Sequence, residues 1–216
     1  MTTPSIVSGH STAADTVNAT SRTINAPTYS AGNVVLLAVV TDAASGTISS
    51  PHFADYIFQD RPIKTAGGST VALASVMWKV ALAAGSEGST YTIDTSASER
   101  VGAICFAVAD AEAAIHAATE TNGDSGTATL PAIITTVADC LRISIVGADG
   151  TTQTTPHGTA TNHTKLGEAW ATSSGAVSAH YKTISSPTTD GAETSTLAAS
   201  FRWIGFSIAL APAVAV

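Results

Sequence analysis

Charge is what this chain has least of. Of its 216 residues only 12% are charged, against roughly 25% in an ordinary soluble domain. Four are lysine, and the net charge is −7. Binding nucleic acid takes a basic stripe that displaces counterions from phosphate. No such stripe exists here, so nucleic acid is not expected as a partner. Long apolar runs are missing as well. None reaches the ~20 residues that span a bilayer, and the start, Met1-Thr-Thr-Pro-Ser5, lacks the basic and apolar regions of a secretory leader. The expectation is a protein made in a cytoplasm, without membrane contact. There are two cysteines, Cys105 and Cys140, each inside an apolar strand-like run. In a reducing compartment they read as buried thiols, not a disulfide.

Catalytic signatures are just as scarce. There is no Gly-x-Ser-x-Gly elbow, phosphate-binding loop or zinc-protease motif, and no carboxylate pair stands out for glycoside hydrolysis. His10 and His116 recur in the two halves, as do His52 and His157. A metal site wants ligands at fixed spacing, oriented by a carboxylate, and His163 has no His-x-His partner. Pro51-His52 and Pro156-His157 read as turn residues at strand starts. No metal, cofactor or enzymatic activity is expected. Lys79, Lys182, Arg100 and Arg202 also recur, and read as caps on sheet faces or edges. Among the few aromatics, Trp78 and Tyr181 read as core and Trp203 as partly covered. Trp170, in Gly167-Glu-Ala-Trp-Ala171 near a turn, is the one candidate for an exposed ring that could stack on a sugar.

What the chain does contain is one β-rich unit written twice. Asn33-Val-Val-Leu-Leu-Ala-Val-Val-Thr41 aligns with Asp139-Cys-Leu-Arg-Ile-Ser-Ile-Val-Gly147, and Met77-Trp-Lys-Val80 with His180-Tyr-Lys-Thr183. Arg100-Val-Gly-Ala-Ile-Cys-Phe106 aligns with Arg202-Trp-Ile-Gly-Phe-Ser-Ile208. Period-two alternation marks strands. Ala72, Ala74, Val76, Trp78, Val80 and Leu82 share one face, with Ser75 and Lys79 opposite. Leu141, Ile143 and Ile145 alternate with Arg142 and Ser144, and Ile204, Phe206, Ile208 and Leu210 with Trp203, Gly205 and Ser207. Residues 33–41 are apolar on both faces, as in a central strand. Gly67-Gly68, Ala84-Gly-Ser86, Asn122-Gly-Asp124, Asp149-Gly150, Ser174-Gly175 and Asp190-Gly191 read as turns between short strands. The stretch 110–118 reads as an edge strand after a short turn.

The expected fold is all-β: an antiparallel β-sandwich (jelly-roll-like) of about fourteen strands with an internal pseudo-twofold repeat. Residues 1–110 form the first half and 111–216 the second, packed into one domain, because no linker separates them. Strands apolar on both faces need a second cover, from loops, the partner sheet or another subunit. With few charges to repel copies, a homo-oligomer is expected.

Ala31-Gly-Asn-Val-Val-Leu-Leu-Ala38, then Ser75-Val-Met-Trp-Lys-Val80, Ser89-Thr-Tyr-Thr-Ile93 and a closing Trp203-Ile-Gly-Phe-Ser-Ile-Ala-Leu-Ala-Pro212 resemble, in that order, β-sandwich structural proteins of tailed bacteriophages. The resemblance covers most of the chain, and its motifs are structural, without active-site residues. It implies a virion protein assembled in the host cytoplasm. Head decoration (cement) is favoured over a tail, fibre or spike position, with the major capsid protein among the partners and a trimer as the oligomer. The alternative is a carbohydrate-binding module or receptor-binding fibre component, with Trp170 against a glycan.

Overall fold

The computed structural model describes residues 2–15, 17–83, 86–149, 157–170 and 175–214. Among these there is no helix. Strands β1 to β9 are Ser5–Ile6, Ser11–Ala14, Ala19–Asn25, Val34–Thr41, Ile48–Ser49, Asp55–Lys64, Thr70–Val80, Thr90–Glu99 and Val101–Ala109. Strands β10 to β16 are Ala117–Leu130, Ile133–Thr135, Cys140–Asp149, Thr164–Trp170, Ala176–Ile184, Thr188–Asp190 and Glu193–Leu210. The described residues thus form sixteen strands where about fourteen were expected. The surplus lies in the first half, where Gly9 at φ 92° separates β1 from β2 and the two-residue β5 had no sequence signal.

Two large antiparallel sheets carry the fold. In the first, β9, β4, β7 and β6 follow one another, with β1 and β2 sharing the outer edge of β9. The second runs β10-β16-β12-β14-β13. The two orders coincide when β1/β2, β4, β6, β7 and β9 are laid on β10, β12, β13, β14 and β16. Irregularities coincide too: β6 slips register between Tyr56 and Phe58 against β7, and β13 between Lys165 and Gly167 against β14. Register also corrects the sequence alignment by one residue. The left-handed Gly32 (φ 82°) precedes β4 as Asp139 (φ 57°) precedes β12, so Val34 corresponds to Leu141, not Cys140.

Alternation then decides which side chains meet. Val34, Leu36, Ala38, Ile104 and Phe106 point from the first sheet into a core shared with Leu141, Ile143, Ile145, Phe206 and Ile208 of the second. Phe58 stacks on Phe206 at 4.6 Å. β6 lies over β10 and β16, and β13 over β2 and β9. The outer face of the first sheet is covered from within the chain. The small sheet β3-β8-β5 lays Ile24, Ile48, Tyr91 and Ile93 on Val35, Leu37, Val39 and Met77. Apolar residues on both faces of β4 therefore call for no second subunit. The second sheet is covered by β11-β15 and by the first part of β16 with the last part of β10.

Three sequence expectations change here. Leu82 lies beyond β7 and is 67% exposed. Trp203 is buried, its indole Nε1 donating to Ser125 Oγ at 3.1 Å. Asn122-Gly123-Asp124 is no turn but the middle of β10, paired with Ile204, Trp203 and Arg202; glycine is needed because a Cβ there would stand 2.4 Å from the Trp203 ring. The turns expected at Ala84-Gly85, Gly150 and Ser174 lie outside the described residues.

Candidate functional site: a buried polar layer

The two halves differ most beneath the second cover. On the outer faces, Val35 and Lys79 pair across β4 and β7 where Arg142 and Lys182 pair across β12 and β14. Likewise Leu37 and Met77 stand where the second half has Ser144 and His180, and Cys105 where it has Ser207. At these positions the first half, Lys79 apart, seals its outer layer with Val35, Leu37, Met77 and Cys105, and the second fills the same layer with hydrogen-bonding groups.

Arg142 is fully buried. Its Nε donates to Ser144 Oγ at 3.2 Å, and Nη1 donates to Asp190 at 2.5 Å and to the Gly191 carbonyl at 2.8 Å. Nη2 donates to the carbonyls of Leu130 and Pro131 and to Ser207 Oγ. The guanidinium fork is therefore satisfied on every nitrogen, as a buried charge requires. Burial alone would raise Asp190, but hydrogen bonds from Arg142 and Lys182 outweigh it and hold the carboxyl below its ordinary value.

Three histidines continue the layer, and their partners fix their protons. His163 Nδ1 lies 2.7 Å from the Thr161 carbonyl, which can only accept. Nδ1 therefore carries the proton, and Nε2 accepts from the Ser144 hydroxyl at 3.0 Å. His180 Nδ1 accepts from the Ala160 amide at 3.4 Å, so its Nε2 donates to Ser178 Oγ at 3.2 Å. The Ser178 hydroxyl then donates to His157 Nδ1 at 2.9 Å, which leaves the His157 proton on Nε2, buried and with no hydrogen-bond partner among the described residues. Burial lowers His180 to about 3 and His157 to about 4, with nearby cations adding to it. His163 is also lowered, first by burial. All three are neutral at pH 7.

The chain brings these groups together through a tether. The His157 amide donates to both Glu168 oxygens, at 3.0 and 3.1 Å, and Lys165 donates to the His157 carbonyl at 2.6 Å while pairing with Glu168. Lys182 bridges Asp190 and Glu193, each at 2.9 Å. His157 is thus a buried strand-packing residue and not a turn residue; Pro156 lies outside the described residues. His52 instead packs against Tyr91 at 5.3 Å, and His10 sits against Gly167. Among the described residues no three His, Cys, Asp or Glu side chains form a metal-holding group. Both cysteines are free and buried, and burial pushes both thiols up.

Trp170 ends edge strand β13, half-buried, on the same outer face as Glu168. Two open depressions lie elsewhere. One of about 310 Å³ is lined by Lys64, Thr65, Asn122 and Asp124, the other, of about 260 Å³, by Ala117, Thr119, Ile133 and Ile134. Lys79 lies over the rings of Tyr91 and Phe53 at 4.1 and 4.9 Å and pairs with Glu87. Like Lys182 it ties a cover to its sheet and guards no edge. Among the described residues no helix is long and apolar enough to cross a membrane. Comparison with known protein families, curated proteins and solved structures gives no match.

Proposed function

We propose that this chain is a non-enzymatic structural protein of a tailed-phage virion, with head decoration (cement) as its role. Its fold is read as a jelly-roll-like β-sandwich in which the second half repeats the first about a pseudo-twofold axis. One observation carries the reading beyond the sequence resemblance. The clustered groups Ser144, Ser178, His157, His163 and His180 are hydrogen-bonded inside the scaffold, and none of these five lines either depression. A body built to hold a surface needs a stable scaffold and little else, although fold alone never fixes function.

Self-association belongs to the proposal, with a trimer favoured by the resemblance. Since the chain covers its own apolar sheet faces, such contacts would use strand edges and surfaces rich in Thr, Ser and Ala. Ile134, 63% exposed beside its depression, is one apolar residue available to them. Light scattering at micromolar concentration should give three times the chain mass, and a soluble monomer would remove this part.

The role itself is tested by mixing purified protein with heads lacking it and with tails, then imaging both. Regular added density on heads supports decoration, density on tails moves the protein to the tail, and binding to neither overturns the virion reading. Glycan binding lost on Trp170→Ala with the fold intact would favour the carbohydrate-binding alternative.

A further inference from the structure

The polar layer of the second half is built around neutral histidines whose accepting nitrogens are already occupied. His180 Nδ1 faces the Ala160 amide hydrogen, and a backbone N–H cannot turn away as a hydroxyl can. A proton added at that nitrogen must break the bond that ties Ala160 to β14, while Gly158 and Thr161 keep their backbone bonds to Thr196 and Thr194 of β16. His157 Nδ1 and His163 Nε2 face the hydroxyls of Ser178 and Ser144, which would have to reverse.

The surrounding charges offer no relief. Arg142 comes from β12, Lys182 from β14 and Lys165 from β13. Against them stand Glu168 from β13, Asp190 from β15 and Glu193 from β16. These three cations and three carboxylates already pair with one another. From β10 and the residue after it the layer receives only the Leu130 and Pro131 carbonyls, and from the segment itself Thr161 and Asn162, the latter donating to Glu193. His10, just before β2, lies against Gly167, whose neighbours in register point into the shared core. Each added proton therefore enters a balanced, water-poor layer as an uncompensated charge.

We infer that the second half carries an acid-operated latch: protonation of its buried histidines releases segment 157–163 and β13 from β12 and β14, while the apolar cover of the first half stays closed. At the equivalent positions that cover rests on Leu37 and Met77, which do not titrate.

The direction follows from linkage. A released histidine takes its proton near pH 6.5, whereas His157 and His180 in the closed layer hold out to about 4 and about 3. Closure is thus fully favoured above pH 6.5 and weakens as pH falls toward 4. The limit is about tenfold per pH unit for each histidine, or about a hundredfold for the two together.

Hydrogen exchange of the full chain at pH 7.5, 5.5 and 4.5, corrected for intrinsic rates, is the test. Protection in β13, β14 and residues 157–163 should fall at least tenfold by pH 4.5, while β3 and β8 keep theirs. Equal loss in both halves, or none, overturns the latch. The double variant His157→Gln with His180→Gln keeps hydrogen-bonding groups that do not titrate and should flatten the pH dependence. If that variant does not fold, NMR of the native rings decides. Their titration should coincide with loss of exchange protection, and ordinary titration near pH 6.5 with protection unchanged would overturn the proposal.

Discussion

A fully buried arginine is stable in β12 because its donors end on acceptors supplied by four different stretches of chain. Replacing Arg142 with Met would leave Asp190 with Lys182 alone, strip the Arg142 donor from the Leu130 carbonyl, and leave the Pro131 carbonyl only the Ser207 hydroxyl. Removing one side of such a buried pair costs about 3–5 kcal/mol, far more than the pair adds over apolar packing. Urea denaturation at pH 7 should show a loss of that size. A smaller effect is expected of Val35→Ala at the equivalent site, where a cavity is the main penalty. Gly205 offers a second residue-scale check. A Cβ there would lie 2.0 Å from the Thr129 carbonyl oxygen, so Gly205→Ala must push the β10 backbone aside and should cost about 1–3 kcal/mol, seen as a lower urea midpoint. Alternation in the sequence separated Leu141, Ile143 and Ile145 from Arg142 and Ser144 correctly. It could not reveal that the polar side is buried too, because the cover comes from residues 157–163 and 188–195, and no local pattern points that far. His157 was misread for the same reason.

Between elements, two of the contacts that join β6 to the second sheet differ in kind. Arg61 donates through Nε to both Glu120 oxygens, at 2.8 and 2.7 Å, at a site open to water. Phe58 stacks on the fully covered Phe206. Exposed ion pairs add about 0–1 kcal/mol, whereas truncating a buried phenylalanine costs about 3–5 kcal/mol. Arg61→Ala should therefore leave the thermal midpoint nearly unchanged, and Phe206→Ala should lower it strongly. Equal effects would mean that the edge pair, and not the apolar interface, holds the sheets together. β7, β12 and the end of β16 were readable from long apolar alternation, and β4 as a continuous apolar run just after Gly32-Asn33. β5 was not, since two residues carry no period, and the Asn122-Gly-Asp124 triplet has turn composition for a packing reason, the Trp203 ring over Gly123.

Across the whole molecule, one strand order used twice yields two sheets that each lack half a core, and they supply it to one another. The ordered match of separated segments made the repeat legible, and register moved only the β4 equivalence, by one residue. Which faces meet was not legible, because both sides of β4 are apolar and sequence cannot say which one receives the other half. The outer layers then diverged, one mostly apolar around Leu37 and Met77 and the other a hydrogen-bonded network around Ser144 and His180. The central claim is the shared core, and separating the halves tests it most directly. Residues 1–110 and 111–216 would be produced as individual chains and followed by circular dichroism and NMR. The account predicts that neither alone gives dispersed amide signals or a cooperative melt, because each exposes the face that carries Leu36 and Phe106 or Ile143 and Phe206, and that mixing them restores both. A half that folds cooperatively by itself would contradict it.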